Sequence, residues 1–302
     1  MGKQAIKQNP LVSIVIINYN TAEVTIESLK SIIENTSYSP YEVIIIDNAS
    51  EQADQSILND FAQSESIPIH IMDENTGWNR GVNYGFSIAK GYLLLTINSD
   101  VIVETGWLSS MVDLYLSADQ VGAVNANIYE DGKSIVSAKD NHLKILHGAC
   151  SMFSSEAWDM VGELDYKNFG FYGTENDWSY RARSLGYKLL LSKHSRVNHL
   201  GSSIINAGGG LSVQKTGKTV EFLKMRLDGR IKFRVYNFKI RDWFSKQILF
   251  EFKDAFNNGY LAILIFSYLR VLANMKNVYQ ARKQRHLNTK RGIKILESGI
   301  IN

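Results

Sequence analysis

The chain has 302 residues, 45% of them hydrophobic and 21% charged, which excludes wholesale disorder and fits one main domain with an extension. A single cysteine, Cys150, excludes an intramolecular disulfide, and the opening MGKQAIKQNP lacks the apolar core of a signal peptide, so a cytoplasmic location is expected. The net charge of +3 conceals a split: residues 1–214 hold 14 Lys and Arg against 24 Asp and Glu, whereas residues 215–302 hold 19 against 6, which implies two parts with different partners.

LVSIVIINYN (11–20) is an uninterrupted apolar run ending in polar residues, the pattern of a parallel strand buried on both faces. TAEVTIESLKSIIEN (21–35) carries most of a helical stripe in Val24, Ile26, Leu29, Ile32 and Ile33, and YEVIIIDNAS (41–50) reads as a second buried strand. IPIHIM (67–72) reads as a strand, NTGWNRGVNYGFSIAKG (75–91) as a Gly- and Asn-rich turn with a helix, and YLLLTINSD (92–100) as a strand. A helix around 105–117 and the strand GAVNANIY (122–129) follow. This alternation predicts an α/β fold, a mostly parallel sheet with helices on both faces. Ligands of such sheets bind beyond the carboxyl ends of the strands, where Asn18, Asn20, Asp47, Asn48, Asn98 and Asp100 are expected to converge.

AGGGLSVQKTGK (207–218) reads as a connector between an α/β domain of residues 1–214 and a basic, mainly helical extension of residues 215–302. No proline occurs after Pro68, which leaves long helices unbroken.

Three side chains could carry chemistry on their own terms. Asp47, at the end of VIIID, can accept hydrogen bonds from a nucleobase or ribose, or can simply cap a turn. Asp100, helped by Asn98 or Ser99, can hold a hard divalent cation against a diphosphate. His199, in VNHLGSS, can complete a metal site or can be an ordinary packed histidine.

SIVIINYN, VIIIDNAS, NTGWNRGVNYG, TINSD, HGACSMFSSEAWDMVGELD, YGTENDWSYRARSLGY and VNHLGSS occur in an order and spacing that resemble family-2 glycosyltransferases of the GT-A fold. The likeness covers residues 11–205 and is greatest to the rhamnosyltransferase-like branch that builds bacterial surface polysaccharides. It implies a Rossmann-like GT-A sheet, a nucleotide-sugar donor carrying UDP or dTDP, a divalent metal (manganese or magnesium) and transfer with inversion. Carried over by position, Asp47 contacts the nucleoside with Asn20 beside it, and Asn75, Gly77, Asn79 and Gly81 shape the loop next to the nucleotide. Asp100 takes the metal-binding end of the family's Asp-X-Asp, and His199 matches a position that contacts metal or diphosphate. Asn98 stands where the family has the first acid of that motif, and a neutral amide binds metal more weakly than a carboxylate.

Inverting transfer needs a base for the acceptor hydroxyl. In the family this is the aspartate of a Glu-Asp pair six residues before an arginine, here Arg181. Counting back reaches Glu175, with Thr174 in place of the pair's glutamate. Glu175 is therefore expected as the base, with Asp177 binding the acceptor or orienting a neighbour, and a one-residue shift would exchange them. Tyr172 and Trp178 are expected to stack on an acceptor sugar. The bland alternative makes the acids of TENDW first-turn helix residues.

In the basic part, GYLAILIFSYL (259–269) is too short to span a bilayer, which takes about 20 residues. Flanked by Lys246, Lys253, Arg270, Lys276, Arg282, Lys283 and Arg285, residues 243–286 fit peripheral contact with an anionic membrane, as suits a lipid-linked glycan acceptor at the inner face of the cell membrane. They fit equally a helical hairpin packed on the catalytic domain or in a homodimer. The aliphatic runs and the lack of a recognised motif argue against nucleic acid. Two other functions are open at this stage. One is a non-catalytic glycan-binding or scaffolding protein with a GT-A fold. The other, a sugar nucleotidyltransferase, is disfavoured because IINYNTAEV is not a Gly-rich basic phosphate loop.

Overall fold

The structure, a computed structural model, describes residues 9–170, 172–201, 220–238, 246–274, 276–280 and 282–284. The expected connector, 207–218, lies outside them, as does the boundary at 214.

The apolar runs become β1 (Val12–Asn18), β2 (Tyr41–Asp47) and β4 (Leu93–Asn98), with α1 (Ala22–Asn35), α2 (Gln52–Ser64), β3 (Ile69–Ile71) and α3 (Trp78–Ile88) between them. Next come β5 (Val101–Val103), α4 (Trp107–Ser117), β6 (Val121–Glu130), β7 (Lys133–Ser134), β8 (Cys150–Ser154), α5 (Ser155–Val161), α6 (Tyr166–Phe169), α7 (Thr174–Ser184) and β9 (Lys188–His199). The basic part supplies α8 (Val220–Asn237), α9 (Lys246–Asn257) and α10 (Leu261–Ala273).

The sheet runs β3-β2-β1-β4-β8-β6-β9-β5, with β7 paired to β6. β3, β2, β1 and β4 are mutually parallel, and β6 is parallel to β9. β8 opposes both β4 and β6, and β5 opposes β9. The mostly parallel α/β sheet expected from the alternation is therefore present.

Strand β1 shows why its run has no polar alternation. Val12, Ile14 and Ile16 join the core under α1, α2 and α4, around Leu29, Leu58 and Trp107, whereas Val15 and Ile17 face the core under α3, α5 and α7, around Phe86, Trp158 and Trp178. Helix α2 escaped the sequence reading because only Leu58 and Ala62 of its residues are buried, too few to mark a stripe. Strand β5 escaped it because it is three residues long.

A third core joins α8 and α10 through Leu227, Ile231, Val235, Leu264 and Val271, with Phe169 of the α/β part packed into it. Gly229 brings α8 against the Tyr172–Gly173 backbone, where a Cβ would collide with the Tyr172 carbonyl. Asn237 Nδ2 donates to Asp177 Oδ1 at 2.9 Å. Helix α8 is thus packed on the α/β domain. Helices α9 and α10 instead leave Leu249, Phe250, Phe256 and Phe266 at 74%, 69%, 72% and 65% exposure, too open for core positions. No single helix among the described residues is long and apolar enough to cross a membrane.

Candidate functional site

Parallel register aligns the ends of β2, β1 and β4, with Asn18 opposite Asp47 and Ile17 opposite Asn98. Asn18 Nδ2 donates to Asp47 Oδ2 at 2.7 Å and to Asp54 Oδ2 at 2.8 Å. The Asp47 carboxylate also accepts from Ser50 N (2.9 Å), Ser50 Oγ (2.7 Å) and Gln55 Nε2 (3.2 Å), and it is fully buried. Asp47 therefore first of all clamps the turn after β2. Asn20, left-handed at φ 53°, accepts from Glu51 N at 2.7 Å. Asn75 Oδ1 accepts from Asn48 Nδ2 (2.8 Å) and Gly77 N (3.0 Å), fastening the loop before α3 to the same strand end.

At the end of β4 the chain leaves its strand through Ser99 and Asp100 and crosses to β9, where Val101 pairs with His199. That crossing brings Asp100 to His199, with Oδ1 3.3 Å from Nε2. Asn98 Nδ2 lies 3.5 Å from the same nitrogen. Glu130 Oε1, at the end of β6, takes the other ring nitrogen, Nδ1, at 2.7 Å. Burial would lower the His199 pKa, but Asp100 and Glu130 outweigh it and raise the value to about 9. His147, whose ring centroid is 6.3 Å from that of His199, is pushed down by burial and by His199.

Among the described residues no three His, Cys, Asp or Glu side chains are set to hold a metal ion. With the Asn98 amide turned and the Nε2 proton displaced, Asp100, His199 Nε2 and the Asn98 amide oxygen would supply oxygen and nitrogen donors for Mn²⁺ or Mg²⁺ completed by a diphosphate. Glu130 fixes the imidazole from behind, as carboxylates behind metal-binding histidines do.

Glu175 is in the first turn of α7, after Gly173 in a left-handed conformation at φ 97°. Its carboxyl lies against the Gly148 backbone, where a Cβ would stand 2.5 Å from Oε1. Thr174 Oγ1 lies 2.6 Å from Asn79 Oδ1 and 3.1 Å from Glu175 Oε2, so α3 steadies the start of α7. Burial pushes the Glu175 carboxyl above its ordinary pKa. A carboxyl so placed is poised to take up a proton.

Several expectations need correction. Asp177 is fully buried and bonded to Arg181 Nε at 2.8 Å, which fits the second of its two expected roles, orienting a neighbour, and leaves it no exposed surface for an acceptor. It orients Arg181, whose guanidinium reaches the carbonyls of Val161, Gly162 (3.3 Å) and Glu163 (2.7 Å). On a helix, residues two apart point about 200° from each other, so Glu175 and Asp177 cannot share a face. Trp178 is also fully buried, its Nε1 donating to Gly162 O at 2.9 Å and its ring packed on Phe153 and Trp158, so it cannot stack on an acceptor. Asn79 and Gly81 belong to α3 rather than to the loop that precedes it. Asn79 bonds Gly170 O and Thr174, and Gly81 packs on Ile17 of β1.

Asn98, Glu175, Tyr172 and His199 line one cleft of about 580 Å³, joined by Trp78, His147, Gly148, Arg226 and Arg230. The last five were not singled out from the sequence. Gly148 stands in the HGAC stretch, which carries the family resemblance without marking a site residue, and the two arginines have no motif around them.

Residues 13–172 match the family model described as Glycosyl transferase family 2. An uncharacterised protein of Mycobacterium bovis is 30% identical over 186 residues, 55% of this chain and 71% of its own length. A glucosyl-dolichyl phosphate glucuronosyltransferase of Haloferax volcanii is 26% identical over 216 residues, 62% of this chain and 68% of its own. Among solved structures, the mannosyltransferase PcManGT from Pyrobaculum calidifontis, in complex with GDP-Man and Mn²⁺, superposes with a TM-score of 0.58 at 15% identity over 96% of this chain and 87% of that one. GalNAc-T7 with UDP, GalNAc and Mn²⁺ gives 0.57 at 16% identity over 72% of this chain and 48% of that one, about half its length. The fold is the GT-A-like α/β fold, here with a helical C-terminal region.

Proposed function

Because this chain belongs to glycosyl transferase family 2, we propose that it moves a sugar from a UDP- or dTDP-linked donor to a lipid-linked glycan with inversion, in the manner of the rhamnosyltransferase-like branch. The observation that carries this reading is the Glu175 carboxyl seated on Gly148 in the cleft that Asn98 and His199 also line. The acceptor hydroxyl gives its proton to Glu175 as its oxygen attacks the anomeric carbon from the face opposite the nucleotide. Asp100, Asn98 and His199 would hold a divalent metal, which when bound would offset the charge of the diphosphate leaving group. Asn18, Asp47 and Asn75 keep the neighbouring strand ends rigid for the nucleoside.

A lipid-linked acceptor agrees with the likeness to the Haloferax glucosyl-dolichyl phosphate glucuronosyltransferase. It agrees also with the exposed apolar side chains of α9 and α10, which have Lys253, Arg270, Lys276 and Lys283 on the same or adjoining helices and suit peripheral contact with anionic lipid at the cytoplasmic face.

The test is nucleoside diphosphate release from a panel of UDP-, dTDP- and GDP-sugars with Mn²⁺ or Mg²⁺, repeated with EDTA and with Glu175→Gln. Release from one donor that both treatments suppress supports the reading. No release, together with no metal-dependent nucleotide binding, overturns it.

A further inference from the structure

Helix α8 carries three arginines, Arg226, Arg230 and Arg234, spaced four apart on one face. Arg234 is buried and neutralised: it forks onto Glu251 at 3.0 and 2.8 Å and donates to Tyr268 Oη at 2.6 Å. Arg230 reaches the same carboxylate only at 3.6 Å. Arg226 has no ion-pair partner among the described residues. Glu251 thus serves two guanidinium groups, fully only that of Arg234, and Arg226 and Arg230, the two left under-compensated, are those that line the cleft.

Their setting follows from packing. Gly229, between them, presses α8 onto Tyr172–Gly173, the segment that leads directly into Glu175. The arginines therefore stand beside the segment that leads into Glu175, in the cleft that Asn98 and His199 also line, whereas Asn18 and Asp47 are not among its lining residues. Of the other ionisable groups that line the cleft, His199 is already paired with Asp100 and Glu130, and no ion pair among the described residues joins Glu175 to either arginine.

We propose that Arg226 and Arg230 form a binding site for a phosphate or diphosphate ester carried by the acceptor. Guanidinium groups suit this ligand through paired, charge-assisted hydrogen bonds. The inference rests on the reading of Glu175 as the acceptor-side base, but it is tested by binding alone.

The full chain is titrated calorimetrically with farnesyl diphosphate, with glucose 1-phosphate, and with UDP plus Mn²⁺, as wild type and as Arg226→Gln, Arg226→Lys and the double variant Arg226→Gln/Arg230→Gln. Arg226→Gln, at the position without an ion pair, keeps the test open if the double variant does not fold. The expected result is a loss of about tenfold or more in affinity for the phosphate esters, with UDP–Mn²⁺ affinity held and Arg226→Lys intermediate. Binding of farnesyl diphosphate but not glucose 1-phosphate identifies a lipid ester, and equal binding of both identifies the phosphate group itself. The proposal is overturned if UDP–Mn²⁺ affinity falls as far, if the variants bind the esters like wild type, or if wild type binds neither ester. Absence of donor turnover would sink the proposed transfer reaction without touching this result.

Discussion

The Glu175 carboxyl occupies the space where residue 148 would carry a side chain: Oε1 lies 2.5 Å from the position of a Cβ on Gly148. The atom in the way is the end of a flexible side chain, so Gly148→Ala leaves the fold standing and moves the carboxyl instead. A displacement of about 1 Å at a reacting group is enough for a rate loss of about 10²-fold. Gly148→Ala is expected to lower kcat while thermal unfolding and donor KM stay near wild type, as steady-state kinetics and calorimetry would reveal.

Glu175→Gln removes the base and is expected to lower kcat by about 10²- to 10⁴-fold. Burial raises the Glu175 pKa in the folded state above its unfolded value, so the residue favours the folded state most when protonated, and that contribution is lost as pH rises through the folded-state pKa. At neutral pH the glutamine variant should therefore melt higher than wild type, with the difference closing toward acid pH. In wild type the acid limb of kcat should lie above the ordinary carboxylate range. Equal melting temperatures at every pH would show that the carboxyl pays no burial penalty.

Asp177 and Arg181 form a buried pair whose partners also hold α8 and the end of α5. Taking one partner from such a pair costs about 3–5 kcal/mol because the other charge is left uncompensated. Asp177→Ala should lower stability in chemical denaturation by that order while the molecules that stay folded retain turnover. A loss of turnover without a loss of stability would return Asp177 to the reaction.

At Gly229 two effects oppose each other. Alanine favours a helix over glycine by about 1 kcal/mol, but its Cβ would meet backbone at Tyr172, which cannot swing aside. Overpacking of this kind costs about 1–3 kcal/mol, so the collision wins. Gly229→Ala should destabilise the protein and weaken acceptor use more than donor binding. A more stable variant would show that α8 is free to shift.

The four exposed side chains of α9 and α10 predict salt-sensitive co-sedimentation with vesicles containing phosphatidylglycerol, weakened by Phe250→Ser with Phe266→Ser. Vesicle binding that ignores both salt and these substitutions would reject a membrane role, and a dimer of wild type that dissociates in the variant would assign the face to a second copy.

The buried strands were readable because a strand covered on both faces has no polar alternation: β1, β2 and β4 announce themselves as Ile, Val and Leu runs. Asn98 and His199 were readable because polar residues close strands of apolar sequence, whereas Glu175 was found only through the family resemblance, by its spacing from Arg181. The functions of Asp177 and Trp178 were not readable, since a helix in the sequence does not declare which face meets the cleft, and aromatics and acids serve either side. Arg226 and Arg230 were hidden for another reason. Their place in the cleft depends on Gly229 docking against Tyr172, a contact between distant parts of the chain that no local pattern encodes.

That docking also orders events during synthesis. The strands and the acid at residue 175 leave the ribosome before α8, and domains form as units while the chain emerges. A nascent chain that has released β9 already displays Glu175 and His199, but on an open ledge. Arg226 and Arg230 arrive only with α8, so under the proposed acceptor site the cleft gains its phosphate-binding wall last in translation, and chains halted after His199 should lack affinity for a phosphate ester.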